Sequence, residues 1–246
     1  MTRQIDTAVI LAAGLGSRLG DLKENRPKGF LQVGEESLIE RSIRLLKKNG
    51  ISNIILGTGY GSAYFDKLRE SHKEISTHKN PIFADSGSMY TLYLLRHKVS
   101  GSCLLLESDL LYEEAALHQL LEDEKDDIIL ASDATESGDE MYVQSSEDGA
   151  LQTMSKDSAE LDYVSGELVG ISKLSDRTLT KMIEYVNSAF DQGNFHIHYE
   201  DALVGISEET HLFVKVIKDL AWCEIDDVYH LKRATSVVFP KIKTRE

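Results

Sequence analysis

Three features of the sequence supply the residue types that polyphosphate chemistry needs. They are a glycine loop with an arginine, a lysine behind a proline, and two distant pairs of acids. The loop reads Leu11-Ala12-Ala13-Gly14-Leu15-Gly16-Ser17-Arg18-Leu19. Glycine lacks Cβ, so backbone N–H groups there can approach phosphate oxygens closely. Arg18 adds a planar guanidinium suited to polyphosphate. Gly14, Gly16 and Gly20 space as GxGxxxG, which departs from the GxGxxG of dinucleotide-binding folds. A tight strand-to-helix turn also uses glycine. Arg18 and the second cation of Pro27-Lys28 weigh the loop towards phosphate.

The acids lie in Glu107-Ser108-Asp109 and Glu224-Ile225-Asp226. In extended chain, residues two apart point to the same side, so each segment can offer two carboxylates to one place. Magnesium is a hard cation that takes a few carboxylates together with phosphate oxygens. One carboxylate from each segment, closing on a triphosphate, is the arrangement this chemistry needs. A solvated acidic turn is the competing reading in a chain with 41 Asp and Glu residues. It is weakest at Asp109, which follows a buried run of three leucines.

The elements that must position these groups follow from apolar periodicity. Thr7–Ala12, Ile51–Leu56, Cys103–Leu106 and Asp127–Leu130 read as buried strands, and Glu74–Thr77 as a shorter one. Ser37-Leu38-Ile39-Glu40 is a capping box opening a helix that Gly50 stops. Further helices are expected near Ser62–Glu70, Ser88–Arg96 and Glu113–Glu122. Beyond Ser132 come strand-like Met141–Gln144, Leu151–Met154 and Glu167–Ser172. A helix over Asp176–Asp191, another beginning in Glu200–Val204, a strand His211–Ile217, and a closing segment Trp222–Ile225 with a helix after it follow. This alternation predicts an α/β fold, Rossmann-like, with a mostly parallel sheet covered by helices on both faces. Ligands in such sheets bind beyond the carboxyl ends of the strands, where the glycine loop and Glu107–Asp109 both fall. The whole chain is read as one domain, with 132–205 an inserted acceptor or lid subregion.

Bulk composition narrows the function classes. The chain has 246 residues, 41% of them hydrophobic, only 3 prolines, and a net charge of -14. That suits a packed core and excludes a general nucleic-acid binder, which needs a basic surface. No apolar run approaches the ~18 residues of a membrane span. The segment Met1–Asp6 lacks the pattern of a signal peptide. Cys103 and Cys223 sit in apolar surroundings without metal-ligand spacing, so a reducing cytoplasm is the expected location.

The loop with Pro27-Lys28 resembles the signature of the nucleotidyltransferases that make nucleotide sugars and CDP-activated head groups. Over nearly the whole chain, the resemblance is closer to bacterial phosphocholine and 2-aminoethylphosphonate cytidylyltransferases. Gly29-Phe30-Leu31-Gln32-Val33 follows Lys28, where the sugar enzymes carry a second proline. The resemblance implies CTP as substrate and Mg²⁺ as cofactor. It assigns Arg18 and Lys28 to catalysis, and Asp109 and Asp226, with Glu224, to the metal. Nucleotide contacts fall to Leu11, Ala12, Ala13, Gly14, Gly16, Ser17, Gly59, Tyr60, Ser88 and Glu107. Ser88 serves equally as an N-cap, and the amides of its helix start are offered to a base or phosphate.

The acceptor is read from aromatic content. Phosphocholine enzymes hold a quaternary ammonium by cation–π contact. Here Met141 and Glu200 stand where those enzymes carry tryptophans, although Tyr199 is kept. Asp133, Asp201 and Glu200 add carboxylates suited to a primary ammonium, which donates hydrogen bonds. A small aminoalkyl phosphonate, 2-aminoethylphosphonate, is therefore the expected acceptor. Alternatives are phosphocholine, a sugar 1-phosphate, or nucleotide sensing without turnover. His196 and His198 form an HxH with no third ligand at useful spacing, which favours an acceptor-side or surface role over zinc.

Overall fold

The run Thr7–Ala12 is buried at every position and forms β1, as a strand covered on both faces must. The structure, a computed structural model, describes residues 5–23 and 26–246. The expectation for the segment starting at Met1 falls largely outside the described residues. β1 leads into the glycine loop and a 3₁₀ stretch, Ser17–Lys23. After Pro27 come a 3₁₀ turn, Lys28–Phe30, the hairpin of β2 (Gln32–Val33) and β3 (Glu36–Ser37), and α1 (Leu38–Lys48). Then follow β4 (Asn53–Thr58), α2 (Ser62–Glu70), β5 (Ile75–Lys79), α3 (Ser88–Leu95) and β6 (Cys103–Glu107). β7 (Leu110–Tyr112), α4 (Ala115–Leu121) and β8 (Ile128–Ser132) complete the next unit. β9 (Tyr142–Ser145), β10 (Leu151–Ser155), β11 (Gly166–Leu174), α5 (Asp176–Asp191) and α6 (Tyr199–Gly205) come next. The chain closes with β12 (Phe213–Ile217), β13 (Trp222–Glu224), α7 (Val228–Arg233) and α8 (Phe239–Arg245).

The fold is α/β with a mostly parallel central sheet, as the alternation predicts. β1 lies between β4 and β6, and β5 extends β4, all parallel. β11 runs antiparallel beside β6, β8 and β9, so segment 132–205 contributes β9, β10 and β11 to the central sheet. Ile171 of β11 pairs with Leu106, which sets Glu167–Gly170 at the carboxyl end of β6. Polar ligands are received at this edge in open α/β sheets.

Helices cover both faces. Ile10, Leu56 and Leu104 pack with Ile43 of α1, Phe65 of α2 and Leu117 of α4. Val9, Ile55 and Leu105 pack with Leu92 of α3, Met182 of α5 and Leu203 of α6. The expected capping box opens α1: Ser37 Oγ accepts from Glu40 N–H, and Glu40 Oε2 accepts from Ser37 N–H at 3.0 Å.

Ser88 does not cap its own helix. Gly87 holds that position without a side-chain bond. The first amides of α3 turn instead to a neighbouring segment, Gly87 N–H to Phe195 O at 2.8 Å and Met89 N–H to Ile197 O at 3.2 Å. The Ser88 hydroxyl accepts from Tyr199 N–H at 2.9 Å and so caps α6. The start of α3 is thus occupied by protein carbonyls.

A two-stranded ladder beside the main sheet joins the two acidic segments. β7 and β13 are antiparallel, with Leu110 opposite Glu224. Ile225 N–H continues the ladder to Asp109 O at 3.0 Å. Pairing of three-residue strands thereby brings Glu224-Ile225-Asp226 against Asp109.

Candidate active site

The loop after β1 wraps onto Lys28. Gly16 has a φ of +58°, and a Cβ there would stand 2.7 Å from Lys28 Cγ. Only glycine meets both the left-handed backbone and the close approach. Pro27, extended at φ -61°, starts the 3₁₀ turn that presents Lys28. Lys28 Nζ lies 3.0 Å from Asp109 Oδ2 and also bonds Asp226 Oδ1. Burial alone would lower the Lys28 ammonium, but Asp109 and Asp226 outweigh it and raise its pKa. Arg18 Nη2 reaches the same Asp226 oxygen at 2.9 Å.

Three carboxylates converge beside this lysine. Oxygens of Glu107, Asp109 and Glu224 lie within 4.8 Å of one another. Burial, with Glu200 and Asp109 nearby, pushes Glu107 up to about 8. Burial also pushes Glu224 well up, reinforced by Glu107 and Asp109. Such a cluster is costly to ionise fully without a cation among its oxygens. All of the donors are hard carboxylate oxygens, which fits a divalent ion of the magnesium type.

These groups line one cavity of about 440 Å³ at the carboxyl edge of the sheet. Leu11, Ala12, Ala13, Gly14, Gly16 and Arg18 form the loop side. Lys28, Glu107, Asp109, Glu224 and Asp226 line it next to them. Ser88, Met141, Tyr199, Glu200 and Asp201 line the side contributed by α3, α6 and the approach to β9.

Four expected residues are not among the lining residues. Ser17 is exposed at the start of its 3₁₀ stretch. Tyr60 N–H donates to Ala13 O at 3.2 Å, and a Cβ on Gly59 would stand 2.5 Å from that oxygen. Gly59 and Tyr60 therefore buttress the loop from behind. Asp133 Oδ2 accepts from Asp219 N–H at 2.8 Å, which ties the end of β8 to a distant turn.

Other roles shift within the cavity. Glu107 joins Asp109 and Glu224 in the carboxylate cluster, whereas Asp226 is engaged by both cations. Tyr199 is 2% exposed and its hydroxyl donates to Glu107 Oε1 at 2.6 Å, so its ring is not an open cage wall. Asp201 Oδ2 accepts from His198 N–H at 2.8 Å and caps α6. Glu200 Oε2 is buried and has no hydrogen-bond partner among the described residues. Burial pushes the Glu200 carboxyl up.

Sequence reasoning missed Glu167, Lys156 and a role for Asp139. Glu167 lines the cavity and accepts from Thr135 N–H and Oγ1. A charged residue inside the fully buried β11 was the available signal. Lys156 sits in the turn after β10, where no local pattern marks it.

Residues 8–170 match the family of the MobA-like NTP transferase domain. The chain belongs to the MobA-like NTP transferase family. It is therefore a nucleotidyltransferase, and the sensing alternative falls away. The choline-phosphate cytidylyltransferase of Streptococcus pneumoniae is 28% identical over 94% of this nucleotidyltransferase and 97% of that protein. The solved structure of the CTP:phosphocholine cytidylyltransferase from the same species superposes with a TM-score of 0.79, covering 95% of this chain and 99% of that one, at 28% identity. The CMP-5'-(3-aminopropyl)phosphonate synthase of Streptomyces rubellomurinus is 26% identical over 89% of this chain and 37% of that protein. The 2-aminoethylphosphonate cytidylyltransferase of Lancefieldella rimae is 26% identical over 46% of each. Among the described residues of this nucleotidyltransferase, no helix is long and apolar enough to cross a membrane.

Proposed function

We propose that this nucleotidyltransferase moves the cytidylyl group of CTP to 2-aminoethylphosphonate, releasing pyrophosphate. The observation that carries the acceptor is Glu200. Glu200 lines the cavity, and its buried Oε2 has no hydrogen-bond partner among the described residues. A primary ammonium can donate a hydrogen bond to that oxygen, whereas a trimethylammonium has no N–H to give. Met141, which lines the same cavity, supplies no aromatic face for cation–π contact.

In this reading, the triphosphate lies along Gly14–Arg18. A phosphonate oxygen attacks the α-phosphorus, forming a new P–O bond. The bond from that phosphorus to the bridging oxygen breaks, and pyrophosphate leaves with the electron pair. The nucleophile is already anionic, so no general base is needed. Lys28 and Arg18 neutralise charge developing on the phosphoryl oxygens and the leaving group. Asp226 holds both cations in place, and Gly16 lets the loop close on Lys28. Glu107, Asp109 and Glu224 are the residues that would hold Mg²⁺, which when bound neutralises triphosphate charge.

A second acceptor, phosphocholine, is favoured by the nearly full-length similarity to the pneumococcal enzyme. The two separate in an assay of CTP-dependent pyrophosphate release with each acceptor. We expect kcat/KM to favour 2-aminoethylphosphonate by at least about tenfold, because a site built around an N–H contact discriminates against an analogue lacking it. Preference for phosphocholine overturns the assignment.

A further inference from the structure

Asp139 divides its carboxylate between two cations. Oδ2 bonds Arg18 Nη1, and Oδ1 lies 2.6 Å from Lys156 Nζ. The Arg18 and Lys156 side chains are 54% and 60% exposed, against 20% for Asp139. All three line the cavity beside the glycine loop. Two cations meeting separate oxygens of one anion is also the way a phosphate or phosphonate group is held.

The chain around Asp139 is pinned on both sides. Thr135 donates its N–H and hydroxyl to Glu167. Gly138 N–H donates to Glu140, 3.2 Å from each of its oxygens. The His230 ring meets Ser137 O at 3.2 Å. Exchange of the anion therefore asks for rotation of the Asp139 side chain, while the backbone stays where it is.

We infer that Arg18 and Lys156 form one anion subsite, that the Asp139 carboxylate fills it as an internal substitute, and that the phosphate or phosphonate group of a substrate enters by displacing it. The inference rests on the nucleotidyl-transfer reading above and adds a competitor to it. Asp139 carries one negative charge and a phosphate group carries more, so the incoming group gains Coulomb energy from both cations. Against this, the tethered carboxylate is always at hand and returns when the ligand leaves. The contact thus lowers affinity and speeds release.

The test is calorimetric titration of wild type, Asp139→Asn and Lys156→Gln with inorganic pyrophosphate, CTP and 2-aminoethylphosphonate separately. Asp139→Asn should tighten at least one ligand by about two- to fivefold, the scale of an exposed ion pair removed from competition. Lys156→Gln should weaken that same ligand. Response to pyrophosphate and CTP identifies the polyphosphate as the displacing group, and response to 2-aminoethylphosphonate alone identifies the acceptor. Unchanged or weaker binding of all three ligands to Asp139→Asn overturns the proposal. Should that variant fail to fold, Lys156→Gln decides, since unchanged affinity for every ligand overturns it equally. A wrong acceptor assignment abolishes turnover with 2-aminoethylphosphonate but leaves the Asp139→Asn effect on pyrophosphate intact, so the two failures are distinguishable.

Discussion

The hydroxyl of Tyr199 donates to Glu107 Oε1 at 2.6 Å, linking the first residue of α6 to the last residue of β6. This bond favours the charged form of Glu107 against the burial that opposes it. Tyr199 is therefore a positioning residue for the carboxylate cluster. In Tyr199→Phe, Glu107 should hold its proton more firmly and orient less well. The magnesium concentration for half-maximal pyrophosphate release should rise about tenfold, the scale for losing an outer-shell partner of a metal ligand. A change in acceptor KM with no change in magnesium dependence would return Tyr199 to the acceptor pocket.

Lys28 stands between Asp109 and Asp226 and faces the cavity. Lys28→Ala and Asp109→Ala should each lower turnover by ~10²-fold or more, as loss of a charge contact made in the transition state does. Near-normal kcat in either folded, purified variant would contradict the mechanism.

Gly16→Ala tests the close approach of loop and lysine. The added Cβ would meet Lys28 Cγ at 2.7 Å on a backbone with φ +58°. Strain of about 1–2 kcal/mol is expected, visible as a lower midpoint in urea unfolding. Displacement of Lys28 should lower kcat at the same time. A variant with unchanged stability and unchanged kcat would show that the loop does not depend on this contact.

Glu167 provides a pH signature. Burial pushes its carboxyl from an ordinary 4.5 up to about 7, although Thr135 donates to it twice. The folded state therefore holds this proton more tightly than the unfolded chain does. Its contribution is fully present below about pH 4.5 and is lost as pH rises through about 7. Glu167→Gln keeps the shape without the charge. Relative to wild type it should gain about 3 kcal/mol at pH 8.5 and little at pH 4.5. Urea unfolding at the two pH values checks this, and an equal effect at both rules it out.

The sequence was most legible where local pattern sets structure. The apolar run of β1, the Ser37–Glu40 capping box and the Asp176–Asp191 helix all appear as expected, because each follows from neighbouring residues. Gathering of the glycine loop with Asp109 could be anticipated from strand ends on one sheet edge. Partner choice within the site was not legible. Asp226 takes Lys28 and Arg18 while Glu107 turns to Glu224, an outcome of side-chain geometry across three chain segments. Asp133 looked acceptor-facing by its position near β8, yet it bonds a turn many residues away. Ser88 has the right type for an N-cap, but its own helix start is satisfied by Phe195 and Ile197 carbonyls. Such contacts come from tertiary approach and leave no periodic trace.

The pairing of β7 with β13 gives the enzyme an order of assembly. The glycine loop, Lys28 and Asp109 lie in the first half of the chain, whereas Glu224 and Asp226 reach them only through that ladder. During synthesis the phosphate-handling half emerges long before the acids that complete it. Contacts between residues so far apart in sequence are also the slow ones to form. A chain that has not yet reached Trp222 lacks Glu224, one of the three clustered carboxylates, and Asp226, the shared partner of Lys28 and Arg18. Pulsed hydrogen exchange should accordingly show amides of β13 gaining protection after those of β1.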